Sequence, residues 1–204
     1  MDILEKLFGS GDRVRIMRVF LFSPDVVFTV EEIAKRSNLF RRVVDKELFL
    51  LQKATFIRRK PFPRVSKNGN GSRKKGNGWA LSKNFQYLKP MESLLIQQVL
   101  ITESDLIKRL EKVGKLKLLL ISGLFVQDSE GRVDLLIVCE HMKRKTLEQV
   151  IKSMEAEIGK ELRYAAFEAP EFEYRVKMYD KLIRDIFDFP HKTILNKLGL
   201  VEDR

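Results

Sequence analysis

The hydrophobic period changes midway along this chain, and that change requires two parts built on different plans. Up to about residue 113 apolar residues recur mostly at helical intervals. From residue 115 near-continuous apolar runs, at 118–121 and 133–139, alternate with helical stretches. Runs of that length without polar alternation suit strands covered on both faces. The spacing therefore predicts an α+β chain of two small domains, and 204 residues, 44% of them hydrophobic, suffice for two small cores. The boundaries read as a first domain at 1–88, connecting helices at 89–114 and a second domain at 115–204.

In the first half Ile16, Val19 and Phe20 recur at helical spacing, interrupted by Arg13, Arg15 and Arg18, and Ser23-Pro24 ends the run. Thr29 followed three residues later by Glu32 forms a capping box and predicts a second helix from Val30 to Ser37-Asn38, with Ile33 and Ala34 as its apolar contacts. A third helix at 39–53 sorts into two faces. Phe40, Val43, Val44, Leu48, Leu50 and Leu51 share one; Arg41, Arg42, Asp45, Lys46, Gln52 and Lys53 take the other, with Phe49 stranded among them. Two short helices joined by a tight turn, the second amphipathic with arginines at its start, make a helix-turn-helix arrangement. In it Arg41, Arg42, Asp45 and Lys46 are the base-facing candidates.

Residues 56–79 then hold Arg58, Arg59, Lys60, Arg64, Lys67, Arg73, Lys74 and Lys75 without one acid, together with Asn68-Gly69, Asn70-Gly71 and Asn77-Gly78. This reads as a basic loop between short strands at 56–59 and 79–81. A net charge of +11 points to a polyanionic partner. In its order of helices, strands and basic loop the chain resembles the winged helix-turn-helix family over about residues 7–88. The resemblance implies double-stranded DNA as partner, with the loop as a wing on the phosphate backbone. A solvated helix face and a loop serving only solubility are the plainer alternatives.

Pro90 opens a stretch in which Leu94, Leu95, Val99, Leu106, Leu110 and Val113 fall at helical intervals up to Gly114, either tying the domains together or forming a seam between two copies. Beyond it, Thr146 with Gln149 reads as the cap of a helix closed by Gly159. A third strand follows at 162–167, a helix has Pro170 in its first turn, Asp180 caps another, and Ile194-Leu195 forms a weak strand or turn. This half resembles the polymerase-beta-type nucleotidyltransferase fold, in particular its minimal members, over roughly residues 115–198. Active members end the first strand in Gly-Ser and carry Asp-x-Asp on the second, whose carboxylates hold the metal pair for phosphoryl transfer. Gly123 matches the glycine, Leu124 stands where serine belongs, Arg132 at the first aspartate and Asp134 at the second. The resemblance so implies a small mixed sheet with packed helices and a degenerate nucleotide site. That site has no metal set and no cofactor; Asp134 is a structural acceptor near Arg132, Asp128 and Glu130 are surface loop acids, and Glu168 is exposed.

The single Cys139, with His141 and His191, makes no zinc site and excludes an internal disulfide. No apolar run reaches membrane length, and the start of the chain does not read as a signal peptide, so a cytoplasmic protein is expected. The expected function is a DNA-binding transcriptional regulator whose second domain serves dimerisation or the binding of a nucleotide or protein ligand. The alternatives are an active metal-dependent nucleotidyltransferase modifying a protein or RNA, and an RNA-binding adaptor.

Overall fold

The computed structural model describes residues 3–65, 73–96, 101–128 and 130–199, with the backbone alone at 62–65 and 73–75. The chain is α+β. Its contacts gather into two compact units, residues 1–98 with 153–160, and residues 99–152 with 161–204.

The first unit runs α1 (Ile3–Phe8), α2 (Gly11–Leu21), α3 (Val30–Ser37), α4 (Arg41–Lys53), β1 (Ile57–Val65), β2 (Arg73–Leu81) and α5 (Leu88–Leu95). Helix α1 is an addition to the expected order; it buries only Leu4, too little to mark a helix by periodicity. In α2 Ile16, Val19 and Phe20 are buried, and Phe20 meets Phe28 edge to face. Arg18 departs from the polar face expected of it. It is buried, its Nε donating to the Leu95 carbonyl (3.1 Å) and a terminal nitrogen to that of Glu157 (2.8 Å), both at the ends of helices where backbone carbonyls favour a cation.

Gly159 has φ +86°, and a Cβ there would stand 2.8 Å from the Arg18 carbonyl carbon and 2.9 Å from the Val19 nitrogen. Gly159→Ala is expected to destabilise this unit by about 2 kcal/mol or more, as measured by thermal denaturation, since both the conformation and the space exclude a methyl group.

Helix α3 starts on the expected capping box. Thr29 Oγ1 accepts the Glu32 N–H (3.2 Å) while Glu32 Oε2 accepts the Thr29 N–H (2.7 Å). Asn38, left-handed at φ 53°, ends it. In α4 Val44, Leu48 and Leu51 are buried, but Phe40 is 87% exposed. Phe40 precedes the helix in extended backbone (φ −67°, ψ 141°), so the helical period that grouped it with the apolar face does not set its direction.

The basic segment is a ribbon rather than a loop between short strands. β1 pairs antiparallel with β2 in register from Ile57↔Leu81 to Val65↔Arg73. Its geometry explains why two prolines and two glycines do not break it. Phe28 and Trp79 exchange both backbone hydrogen bonds (2.8 Å each), so the Trp79 N–H and C=O face away from β1. Arg59↔Trp79 is therefore a non-hydrogen-bonded pair, and by alternation so are Pro61↔Asn77 and Pro63↔Lys75. Proline's missing N–H takes nothing from such a ladder. Gly76 and Gly78 sit at hydrogen-bonded positions, supplying backbone without turning the chain.

The second unit runs α6 (Glu103–Leu110), β3 (Lys115–Ser122), a 3-10 turn (Gly123–Val126), β4 (Leu135–Glu140), α7 (Arg144–Ile158), β5 (Tyr164–Glu168), α8 (Ala169–Lys177), α9 (Lys181–Asp188) and β6 (His191–Asn196). The last turns of α7, from Ser153, count with the first unit. The helices expected to connect the domains thus fall one to each unit, α5 to the first and α6 to the second. The sheet order is β5-β4-β3-β6, with β4 and β5 parallel and the other pairs antiparallel. One face packs Leu118, Leu120, Leu136, Val138, Ala165 and Phe167 against Phe172 of α8 and Ile183 and Ile186 of α9. Leu119 and Ile137, which alternate with these, are equally buried.

Pro170 lies in the first turn of α8, and the Asp180 carboxylate accepts the Leu182 N–H (2.8 Å) to cap α9, as expected. Thr146 is not a cap. α7 starts earlier, on Lys143, whose carbonyl accepts the Leu147 N–H (3.0 Å). Among the described residues no helix is long and apolar enough to cross a membrane.

Candidate nucleic-acid interface

The orientation of α4 is fixed from its buried side. Glu47, 4% exposed, accepts from Arg13 Nε (2.8 Å) and from Ser10 Oγ (3.4 Å), tying the start of α2 to the middle of α4. The helical period hid this residue, because Glu47 carries a charge on the face that packs inward. With Val44, Glu47, Leu48 and Leu51 turned in, Arg42, Lys46, Phe49 and Lys53 form an exposed stripe at i, i+4, i+7 and i+11. Asp45 is exposed beside it. Phe49 belongs to this stripe, 55% exposed, with Lys53 Nζ 4.6 Å from its ring centre.

Arg41 is placed differently from Arg42. Its guanidinium meets Glu31 of α3 at 2.8 Å and Asp45 at 3.7 Å, all three being well exposed. Two carboxylates thus hold it against the turn between the helices. Arg42 and Lys46 are the other exposed cations of the helix start.

α4 contacts β1, and the ribbon carries the rest of the charge. Arg58, Arg59 and Lys60 are exposed. The Arg59 guanidinium lies 4.1 Å from the centre of the Trp79 ring, and this stacking fixes its direction. Farther out the backbone carries Arg64 opposite Lys74, with Arg73 and Lys75 also on β2, while Lys67 lies outside the described residues. Seven of the eight expected cations are therefore on strands, which hold backbone positions more firmly than a loop.

In the second unit the structure brings Gly123, Leu124 and Asp134 together, with a partner that sequence reasoning missed. Asp134 is 1% exposed. Its Oδ1 accepts from the Leu124 N–H (2.8 Å) and an Arg163 terminal nitrogen (3.0 Å), its Oδ2 from the Arg163 N–H (2.8 Å) and Arg163 Nε (3.3 Å). Four donors occupy the roughly four lone-pair directions of a carboxylate. Burial alone would raise the Asp134 pKa. The Arg163 side chain, the two backbone N–H groups and the guanidinium charge outweigh it and hold the carboxyl below its usual range. Gly123, at φ 52°, fits here because a Cβ would run into this carboxylate.

The expected neighbour of Asp134, Arg132, points elsewhere, its Nε 3.4 Å from Asp185. Arg163, the residue just before β5, the parallel neighbour of β4, takes that place, its backbone carbonyl accepting the Asp134 N–H (2.6 Å). Glu168 is half-buried rather than exposed and accepts the backbone N–H groups of His141 (3.1 Å) and Met142 (2.8 Å). Asp128 accepts the Glu130 N–H (3.1 Å) within its own loop.

Among the described residues no group of three or more His, Cys, Asp or Glu side chains could hold a metal ion. Cys139 is buried on β4, and burial, with the Glu168 charge, pushes its thiol up to about 11, far from a reactive thiolate at neutral pH. His191 meets the Phe189 carbonyl (2.8 Å) and the Phe187 ring, and His141 is exposed.

No local signal marks Arg163, Glu47 or Arg18, since each acts across a large sequence separation. No family model matches the chain, nor does any curated protein or solved structure.

Proposed function

We propose that this chain is a DNA-binding transcriptional regulator of winged helix-turn-helix type, cytoplasmic, whose sheet unit serves dimerisation or binds a ligand or protein. The observation that carries it is the juxtaposition in one unit of an α4 face exposing Arg42 and Lys46 with a ribbon exposing Arg58, Arg59 and Lys60. A helix face of this width fits the major groove, where arginine pairs with guanine, and a basic ribbon fits the neighbouring phosphates. Arg41 remains a base-facing candidate beside Arg42, since exposed ion pairs such as those it makes with Glu31 and Asp45 are weak enough to exchange for the duplex.

The test is a competition assay with a labelled random duplex. Unlabelled duplex DNA is expected to displace it and structured RNA of equal length to fail. Equal displacement by RNA would favour an RNA-binding adaptor, and no binding of either would remove the proposal. Arg42→Ala is expected to lose about 1 to 3 kcal/mol on a selected duplex and to relax preference at one base pair, read out by competition with single-base variants. Lys60→Ala is expected to weaken all duplexes alike.

The sheet unit takes no catalytic step in this proposal. Asp134 matches a metal-binding aspartate only by resemblance to the nucleotidyltransferases, and its lone pairs are engaged by Leu124 and Arg163. Incubation of the full chain with labelled nucleoside triphosphates and a divalent cation is expected to give no transfer to protein or RNA. Cation-dependent labelling would revive the nucleotidyltransferase alternative.

A further inference from the structure

Phe40 breaks two folding preferences at once. It is 87% exposed, the most exposed phenylalanine among the described residues, and it occupies the N-cap of α4, where it supplies no capping hydrogen bond. Ser, Thr, Asp or Asn at that position would satisfy a backbone N–H of the first turn and leave no ring in water. Four other helix starts use such caps, Ser10, Thr29, Thr102 and Asp180 capping through their side chains, whereas Tyr87 of α5 and Glu168 of α8 supply none. A position that gives up local stability twice, with no packing gain in the fold, marks a contact made outside it.

The surroundings say with what. Arg41, Arg42 and Lys46 follow on the same helix start, and Lys35 and Arg36 precede it at the end of α3. An exposed apolar ring next in sequence to such cations, though Arg36 itself stacks on Phe28, suits a polyanion that offers an apolar group among its charges. In the major groove the C5 methyl of thymine is that group, and apolar side chains at the start of an inserted helix are the ones that reach it. We infer that Phe40 is a specificity-determining residue that packs against a thymine methyl beside the base pair contacted by Arg42. This rests on the reading of the chain as a duplex-DNA binder.

The experiment begins with selection of a preferred site from a randomised duplex library by the full chain. Each thymine of that site is then replaced singly by deoxyuridine, which removes only the C5 methyl. The unmodified chain is expected to lose about fourfold in affinity at one or two of these positions, the weight of one buried methyl group. Phe40→Ala is expected to bind the thymine duplex at least as weakly and to lose discrimination between thymine and uracil there. Arg42→Ala is expected to keep that discrimination.

Phe40→Ser separates binding from folding, because its hydroxyl restores the cap. It should raise Tm by about 4 °C while losing the same discrimination. A lowered Tm for Phe40→Ser would mean that the ring supports the fold and would overturn the inference. Undiminished thymine preference in Phe40→Ala would overturn it too while leaving the DNA reading intact. A library from which no duplex is enriched would overturn both.

Discussion

Asp134→Ala is expected to lower the stability of the sheet unit by about 3 kcal/mol, measured by thermal or urea denaturation of the full chain. Two costs combine in that figure. The carboxylate is almost wholly buried and is the shared acceptor for the backbone N–H groups of Leu124 and Arg163, which would be left without their partner at the junction of the 3-10 turn and β4. Its removal also leaves Arg163 without its ion pair, though half of that side chain faces water and keeps its hydration, so the loss stays at the low end for a broken buried pair. For a unit of this size a loss of this order lowers Tm by more than about 10 °C. A variant that melts like the unmodified chain would mean that the Asp134 network contributes nothing to the fold.

The same carboxylate gives the unit an acid limit. Its folded pKa lies below the usual value of about 4, so from about pH 5 upward it is ionised in both the folded and unfolded states and its stabilisation is complete. As pH falls through that value the unfolded chain takes up the proton first. Stability then declines until the folded-state pKa is passed. In Asp134→Ala this part of the acid dependence is expected to vanish, leaving a flatter stability profile below pH 4 than in the unmodified chain.

The second large effect belongs to the ribbon. Replacing Arg58, Arg59 and Lys60 together by alanine is expected to reduce duplex affinity by about two orders of magnitude or more at 0.1 M salt. Each neutralised phosphate adds about 0.9 to the slope of log affinity against log salt, and three such contacts carry that weight when extrapolated from molar salt. All three side chains are exposed, so the fold should persist. The stacking of Arg59 on Trp79 disappears in this variant, at a cost of about 0.5 to 1 kcal/mol. Unchanged affinity in a variant that remains folded would exclude the ribbon from the interface.

Most of what could be read in the sequence was local hydrogen bonding, although Thr146 with Gln149, a signal of the same kind, does not cap α7. Thr29 with Glu32, Pro170 at a helix start and Asp180 at a cap act over three residues or fewer, and the structure has each of them as expected. Long-range chemistry was invisible. Arg163 reaches Asp134 across 29 residues, Arg13 reaches Glu47 across 34 and Arg18 reaches Leu95 across 77, and in each case a charged residue is buried where periodicity predicts either solvent or an apolar side chain.

The ribbon differs from the expected loop for a related reason. Asn77-Gly78 is a strong turn signal by itself, yet the two-way bond between Phe28 and Trp79 sets the register in which those residues simply continue β2. Phe40 escapes the helical period because it stands one residue before the helix begins. The base-facing candidates do occupy exposed positions, and what the sequence could not distinguish was the held Arg41 from the open Arg42.

The central claim is that the α4 face enters the groove of a duplex while the cations of the ribbon meet its phosphates. Anisotropy titration of a labelled random-sequence duplex with the full chain, repeated between about 50 and 200 mM salt, tests it most directly. The account predicts log affinity falling linearly with log salt at a slope of about −3 or steeper. A slope near zero, or no binding at the lowest salt, would contradict it.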